Sequence, residues 1–180
     1  NLGTLYRLQG DYEKAIPIRR RELSWRRQHH GETDIDALTL INELAIDLRE
    51  IGDLGEAELL FRELVEGRQM LLASGDSETG RALAGLAKTL ELKGKFEEAA
   101  TVAKQAIDCL LANQNPDECL INLVLLNLAR LVYKLGRKAE SLRLLKTVQT
   151  SITSKTEPDD TDRQLLANAA ALRDQIEANP

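Results

Sequence analysis

Residues 19–30, RRRELSWRRQHH, hold five arginines, the one tryptophan and both histidines of the chain. Adjacent histidines could suggest a metal site. On a helix, however, neighbouring side chains point about 100° apart, so His29 and His30 are poorly placed to grip one ion. Read locally, the arginines resemble a nucleic-acid or nuclear-import patch. Read as part of a helix, three tandem arginines point in different directions and can pair with nearby carboxylates, which makes a solvated helix face. Asp159 and Asp160 fall in a surface loop with nothing beside them to raise a carboxyl pKa. No glycine-rich phosphate loop occurs, and no nucleophile stands beside a base. The residues predict no enzyme, no metal and no cofactor.

Composition sets the frame for that result. The chain has 180 residues, 43% of them hydrophobic but only 3% aromatic, so its core must be built from Leu, Ala, Ile and Val. That palette favours close helix packing. A formal charge of −5 argues against general attraction to nucleic acid or anionic membrane. The apolar run CLINLVLLNLARLVY is broken by Asn122, Asn127 and Arg130 and is too interrupted to span a bilayer. Cys109 and Cys119 read as buried thiols in a reducing, cytoplasmic setting. With Asn1 in first place and no signal peptide visible, the chain reads as a piece of a longer protein with further domains.

The elements that would position any site repeat. Gly10, Gly52, Gly94 and Gly136 stand 42 residues apart. Leu2, Leu44, Leu86 and Leu128 keep that spacing, as do Gly3, Ala45, Ala87 and Ala129. Tyr6, Leu48, Leu90 and Val132 follow in phase, and Ala15, Ala57, Ala99 and Ser141 close the pattern. Each unit reads as two helices. The first has apolar residues at helical spacing, as in Leu38, Ile41, Leu44, Ala45 and Leu48. The glycine ends it by taking the left-handed conformation, and the second helix begins at Asp11, Asp53 or Lys95. Loops such as HHGETDID, ASGDSET and NQNPDE join the units. No stretch alternates with period two for long enough to form a strand, so the fold class is all-α. Trp25, Gly67 and Cys109 share one register position, which suggests that Gly67 makes room for the tryptophan.

These columns resemble the tetratricopeptide repeat, and the longer unit is similar to the repeats of kinesin light chains and their relatives. GETDIDALTLINELA, 31–45, and AIPIRRRELSWRRQHHG, 15–31, extend the likeness. Arg19 departs from it by replacing an aromatic, Glu22 a small residue and Lys138 an aromatic. The resemblance implies a right-handed α-solenoid with a concave groove. It divides the chain into four hairpins over 1–157, the first truncated at its start, and a capping helix over 158–180. In that helix Leu165, Leu166, Ala169, Leu172 and Ile176 form one stripe, and Ala170 is in phase with Leu128.

The resemblance also implies that first helices line the groove. Its candidate ligand-reading residues are Asn1, Arg7, Asn42, Arg49, Arg81, Lys88, Asn127, Arg130 and Lys134. Asparagine amides can clamp a peptide backbone, and the cations would suit acidic side chains or a C-terminal carboxylate. The expected function is a protein–protein interaction module binding an acidic partner segment. The alternatives are a nucleic-acid adaptor using 19–30 and an intramolecular scaffold or sensor arm of a signalling protein. In a competing reading of the wall, its charges simply pair with one another and keep it soluble.

Overall fold

A computed structural model of the chain describes residues 2–31, 34–71, 77–155 and 157–178. Asn1 and the middles of the first two interhairpin loops lie outside them. The described residues form helices α1 (Leu2–Leu8), α2 (Tyr12–His30), α3 (Ile35–Glu50), α4 (Leu54–Leu71), α5 (Ser77–Leu92), α6 (Phe96–Leu111), α7 (Glu118–Lys134), α8 (Lys138–Thr153) and α9 (Asp160–Ala178). Helices adjacent in sequence are adjacent in space throughout. Asp159, read from sequence as a loop carboxylate, accepts the Asp162 amide at the start of α9, and Asp160 is that helix's first residue. There the acids satisfy the orphan amides of a helix start.

Each turn inside a hairpin is built the same way. Gly10, Gly52, Gly94 and Gly136 all have φ between 75° and 87°, the region closed to most side chains. Each glycine N–H donates to the carbonyl three residues back, at 2.9–3.1 Å. The next N–H reaches five residues back: Asp11 to Tyr6, Asp53 to Leu48, Lys95 to Leu90 and Arg137 to Val132, at 2.9–3.0 Å. Two otherwise orphaned carbonyls are thereby satisfied at each helix end. The residues accepting the longer bond are the bulky column of the repeat. Just beyond the turn, Ala15, Ala57, Ala99 and Ser141 are completely buried. Ser141 meets the cost of burying its hydroxyl by donating to the Ala129 carbonyl at 2.7 Å.

The first helices meet across hairpins, α3 with α5 and α5 with α7, while the second helices make no comparable approach. First helices therefore form the inner layer of the stack and second helices the outer. α9 packs on both α7 and α8. Leu165, Ala169, Leu172 and Ile176 are buried in that contact layer, and Leu166 is only half-buried.

Two close approaches lock the layers, and one differs from the sequence expectation. A Cβ on Gly67 would stand 2.7 Å from Leu38 Cδ2, so Gly67 makes room for Leu38 of α3. Trp25 is 52% exposed and stacks on His29 with ring centroids 4.4 Å apart. Equivalence of register places residues 25 and 67 at the same point of successive helices, but does not make them neighbours. A Cβ on Gly85 would collide with three ring atoms of the fully buried Phe61. Cys109 and Cys119 are half-buried, less enclosed than the sequence suggests, and no disulfide joins them. Burial pushes the Cys119 thiol upward.

Glu58 of α4 is buried beside the third turn. It accepts Lys93 at 2.7 Å, Lys95 at 3.0 Å and Arg62 at 2.8 Å. Those bonds, Lys93 foremost, outweigh the opposing effect of burial and lower its pKa from 4.5 to about 2.

Two outcomes are expected. Gly67→Leu should lower stability by roughly 1–3 kcal/mol through overpacking. Leu38→Ala in that background should recover part of the loss, whereas Trp25→Ala should recover none, as thermal melts would read. Glu58 has a folded pKa below its unfolded one, so it stabilises above pH 4.5 and loses that contribution as pH falls toward 2. Urea titrations of Glu58→Gln should lose less stability across that window, by on the order of 1–2 kcal/mol.

Candidate functional site

The inner wall is made by α1, α3, α5 and α7, whose outward-facing residues lie at matching register positions. Asn1 lies outside the described residues. Arg7 extends toward the buried Asp47, with Nε 3.7 Å from Oδ1. Asn42 is half-buried on α3, and Arg49 of that helix pairs with Glu50 at 3.0 Å. Arg81, at the start of α5, holds Glu78 at 3.2 Å and reaches Asp117 of the next unit at 2.6 Å. Much of the predicted cationic wall is thus matched by carboxylates, several from positions outside the groove.

The α5–α7 stretch is different. Glu91 is 8% exposed and accepts Lys88 at 2.8 Å and Lys134 at 3.0 Å. Burial pushes its pKa up, but hydrogen bonds from the two lysines outweigh that and hold it below the usual carboxylate range. Lys134 also lies 5.0 Å from the centroid of the Phe96 ring. Arg130, one register step beyond Lys88, donates to the Asn127 amide oxygen at 2.8 Å, and no carboxylate pairs with it among the described residues. Two lysines thus hold one acid, and Arg130 lies one helical turn from Lys134 on the same helix. Lys88, Asn127, Arg130 and Lys134 form a continuous patch, whereas Arg7, Arg49 and Arg81 are each tied to acids of their own.

The basic helix 19–30 is largely neutralised. Arg20 pairs with Glu56 at 2.5 Å, Arg26 with Asp36 at 2.7 Å, and Arg27 with Glu63. His29 Nδ1 lies 2.7 Å from the Trp25 carbonyl oxygen. Arg19 departs most from the solvated-face reading, because it is completely buried. Its guanidinium donates to Asp47 at 2.6 Å and to Glu43, both on α3. Asp47 is itself fully buried, so this is a desolvated ionic contact between the first two hairpins.

A sequence signal for the cluster did exist. Forty-two residues on, Arg19 becomes Phe61, Glu43 becomes Gly85 and Asp47 becomes Thr89. In the second interface the phenyl ring occupies the space over Gly85. Thr89, also fully buried, donates its hydroxyl to the Gly85 carbonyl at 2.9 Å. The same three positions carry an ionic contact in one interface and an aromatic–glycine contact in the next.

Residues 1–70 match the family model described as tetratricopeptide repeat. Among solved structures, the nearly identical TPR-like repeats of a Podosopora anserina protein designated a kinesin light chain superpose with a TM-score of 0.80. That match has 18% identity and covers 98% of this chain and 87% of the other. BtubC (BKLC) from P. vanneervenii gives 0.79 at 16% identity, over 88% of this chain and 64% of that one. MamA gives 0.61 at 13% identity, over 100% and 98%. At these identities the likeness establishes the fold: an all-α, right-handed α-solenoid, as the sequence implied. A search of curated protein sequences finds no match.

The shared columns generate a stability test. Arg19→Phe alone leaves Glu43 and Asp47 without their buried cation and should cost about 3–5 kcal/mol in urea unfolding. Adding Glu43→Gly and Asp47→Thr recreates the second interface in the first and should recover most of that loss. A triple variant no more stable than the single one would separate the columns from the packing they are taken to encode.

Proposed function

Taking as premise that this chain carries tetratricopeptide repeats, we propose that it is a non-enzymatic protein–protein interaction module whose first-helix wall binds an extended acidic segment. The observation that carries this reading is the charge imbalance between α5 and α7. Lys88 and Lys134 share the single carboxylate of Glu91, and Arg130 stands one helical turn from Lys134 on α7 with no carboxylate partner among the described residues. The second cation of that group is held in place without being neutralised, and Arg130 is oriented by an amide alone. A carboxylate or acidic side chain laid across the patch would complete both ion pairs with little reorganisation. Asn127, and Asn42 farther along the wall, supply amides for the backbone of the same segment.

The cations at Arg7, Arg49 and Arg81 contribute less, since each already has a carboxylate within 4 Å. The rival nucleic-acid reading of 19–30 is weakened by Glu56, Asp36, Glu63 and Asp47, which occupy four of its five arginines. No helix among the described residues is long and apolar enough to cross a membrane. A cytoplasmic setting accords with two cysteines outside any disulfide. Service as a sensor or scaffold arm of a larger protein uses the same wall, filled from within the same molecule.

The test is titration of an acidic peptide library against the chain by fluorescence anisotropy, beside Lys88→Glu/Arg130→Glu and Arg49→Gln variants checked by circular dichroism. Selected peptides should lose at least tenfold in affinity with the double variant and change little with Arg49→Gln. Equal binding by the folded double variant would refute the assignment of the patch.

A further inference from the structure

One buried acid arranges two lysines at the junction of α5 and α7. Lys88 Nζ donates to Oε2 of Glu91, and Lys134 Nζ donates to Oε1. Both oxygens of a single carboxylate are thus used, and two ammonium groups from successive first helices are set side by side across it. Glu91 is buried, while the lysine side chains are 38% and 42% exposed. An ammonium has three donors, so each lysine keeps N–H groups for the solvent side. Arg130 stands one turn before Lys134 on α7, half-buried, and gives one donor to Asn127.

Charge and donor geometry both constrain what fits there. Lys88, Lys134 and Arg130 face one carboxylate among the described residues, that of Glu91, which leaves two positive charges unmatched. The open donors belong to three side chains. A ligand carboxylate brings one charge and two oxygens, so it leaves one cation unanswered. Two acidic residues of an extended segment match the charge but not the spacing. Adjacent side chains point to opposite faces, and those on one face stand about 7 Å apart, whereas these lysines are gathered on a single acid. A phosphate monoester concentrates a charge of about −1.5 to −2 on three acceptor oxygens at one point.

Resting on the reading of this wall as a site for an acidic segment, we propose that the α5–α7 seat takes the phosphoryl group of a phosphoserine or phosphothreonine in a partner protein. Two phosphoryl oxygens accept from Lys88 and Lys134 on the side opposite Glu91, and the third faces Arg130. The lysines lie between the two anions and screen one from the other. An unmodified serine brings no charge and leaves the surplus unmatched. Phosphorylation of the partner therefore switches docking on.

The probes are three labelled peptide pools with degenerate uncharged flanks, alike except for phosphoserine, glutamate or serine at the centre. Each is titrated against the whole chain by fluorescence anisotropy at fixed salt. The phosphoserine pool should bind about tenfold more tightly than the glutamate pool, and the serine pool should not saturate. Lys88→Gln and Lys134→Gln each leave Glu91 one lysine, so both should keep the circular dichroism of the unaltered chain while losing most of that preference. Equal affinity for the phosphoserine and glutamate pools overturns this proposal and leaves the acidic-segment reading standing. If neither charged pool saturates, this proposal falls, and the acidic-library titration decides the broader reading separately. A preference unchanged in both lysine variants places the phosphoryl group elsewhere and overturns the seat. Displacement by inorganic phosphate as effective as by the unlabelled phosphoserine pool reduces the seat to a bare anion site and overturns it equally.

Discussion

The five-residue closure at each glycine is the constraint from which the stack follows. An amide reaching back to the carbonyl five residues earlier, across a glycine at positive φ, fixes where the second helix leaves the first. A side chain at that φ would cost roughly 1–2 kcal/mol, so the turn is specified locally by one residue type. Because all four turns use the same bonds, each hairpin has the same shape, and one packing rule serves every junction. The fully buried Ala15, Ala57, Ala99 and Ser141 sit just past those turns, where any larger residue would push the helices apart.

Uniform geometry does not make the junctions uniform in chemistry. The positions of Arg19, Glu43 and Asp47 become Phe61, Gly85 and Thr89, then Ala103, Asn127 and Leu131. In the first junction the gain is Coulombic and directional, set against a heavy desolvation cost. In the second it is area and shape, a ring seated over a missing side chain. In the third Ala103 and Leu131 are both buried and no ionic contact is needed. Mixing the sets would leave a charge buried without its partner, drive a ring against a side chain or open a cavity. Three unlike interfaces thus resist the slippage that identical repeats permit.

The periodic part of this structure was legible because it depends on like residues recurring at one interval. Glycine turns, buried alanines and apolar stripes all have that form, and the helix boundaries followed to within a residue or two. Properties that depend on unlike residues meeting were not legible. Ion pairs between successive second helices join opposite charges 36 positions apart, an interval other than the 42 of the repeat. Arg19 was read as part of a solvated basic face and as a departure from an aromatic column, and the second reading, with Phe61 one repeat on, is the one that marks the position as interior. Gly67 was matched to Trp25 by column, but its neighbour is Leu38, on the first helix of its own hairpin. On the inner wall the cations lie on first helices, while their partners Glu78, Asp117 and Asp47 come from positions outside the groove pattern. Repetition fixes which face a residue occupies, and contact across helices decides whether its charge remains available.

The two layers handle charge differently for a structural reason. On the outer layer each second helix can supply one base and one acid at separate positions, so successive helices neutralise one another in pairs. The inner layer is more crowded, because first helices approach one another directly. Glu91 is buried there, and an ionised carboxylate in such a place needs more than one donor to offset its lost hydration. Lys88 supplies one from the same helix and Lys134 another from the next. Satisfying one buried acid with two lysines leaves a positive charge on the wall, and Arg130, held by an amide, adds to it. A chain with a net charge of −5 thereby gathers positive charge at the junction of α5 and α7. The contact that joins α5 to α7 and the patch proposed to bind an acidic ligand share the same lysines.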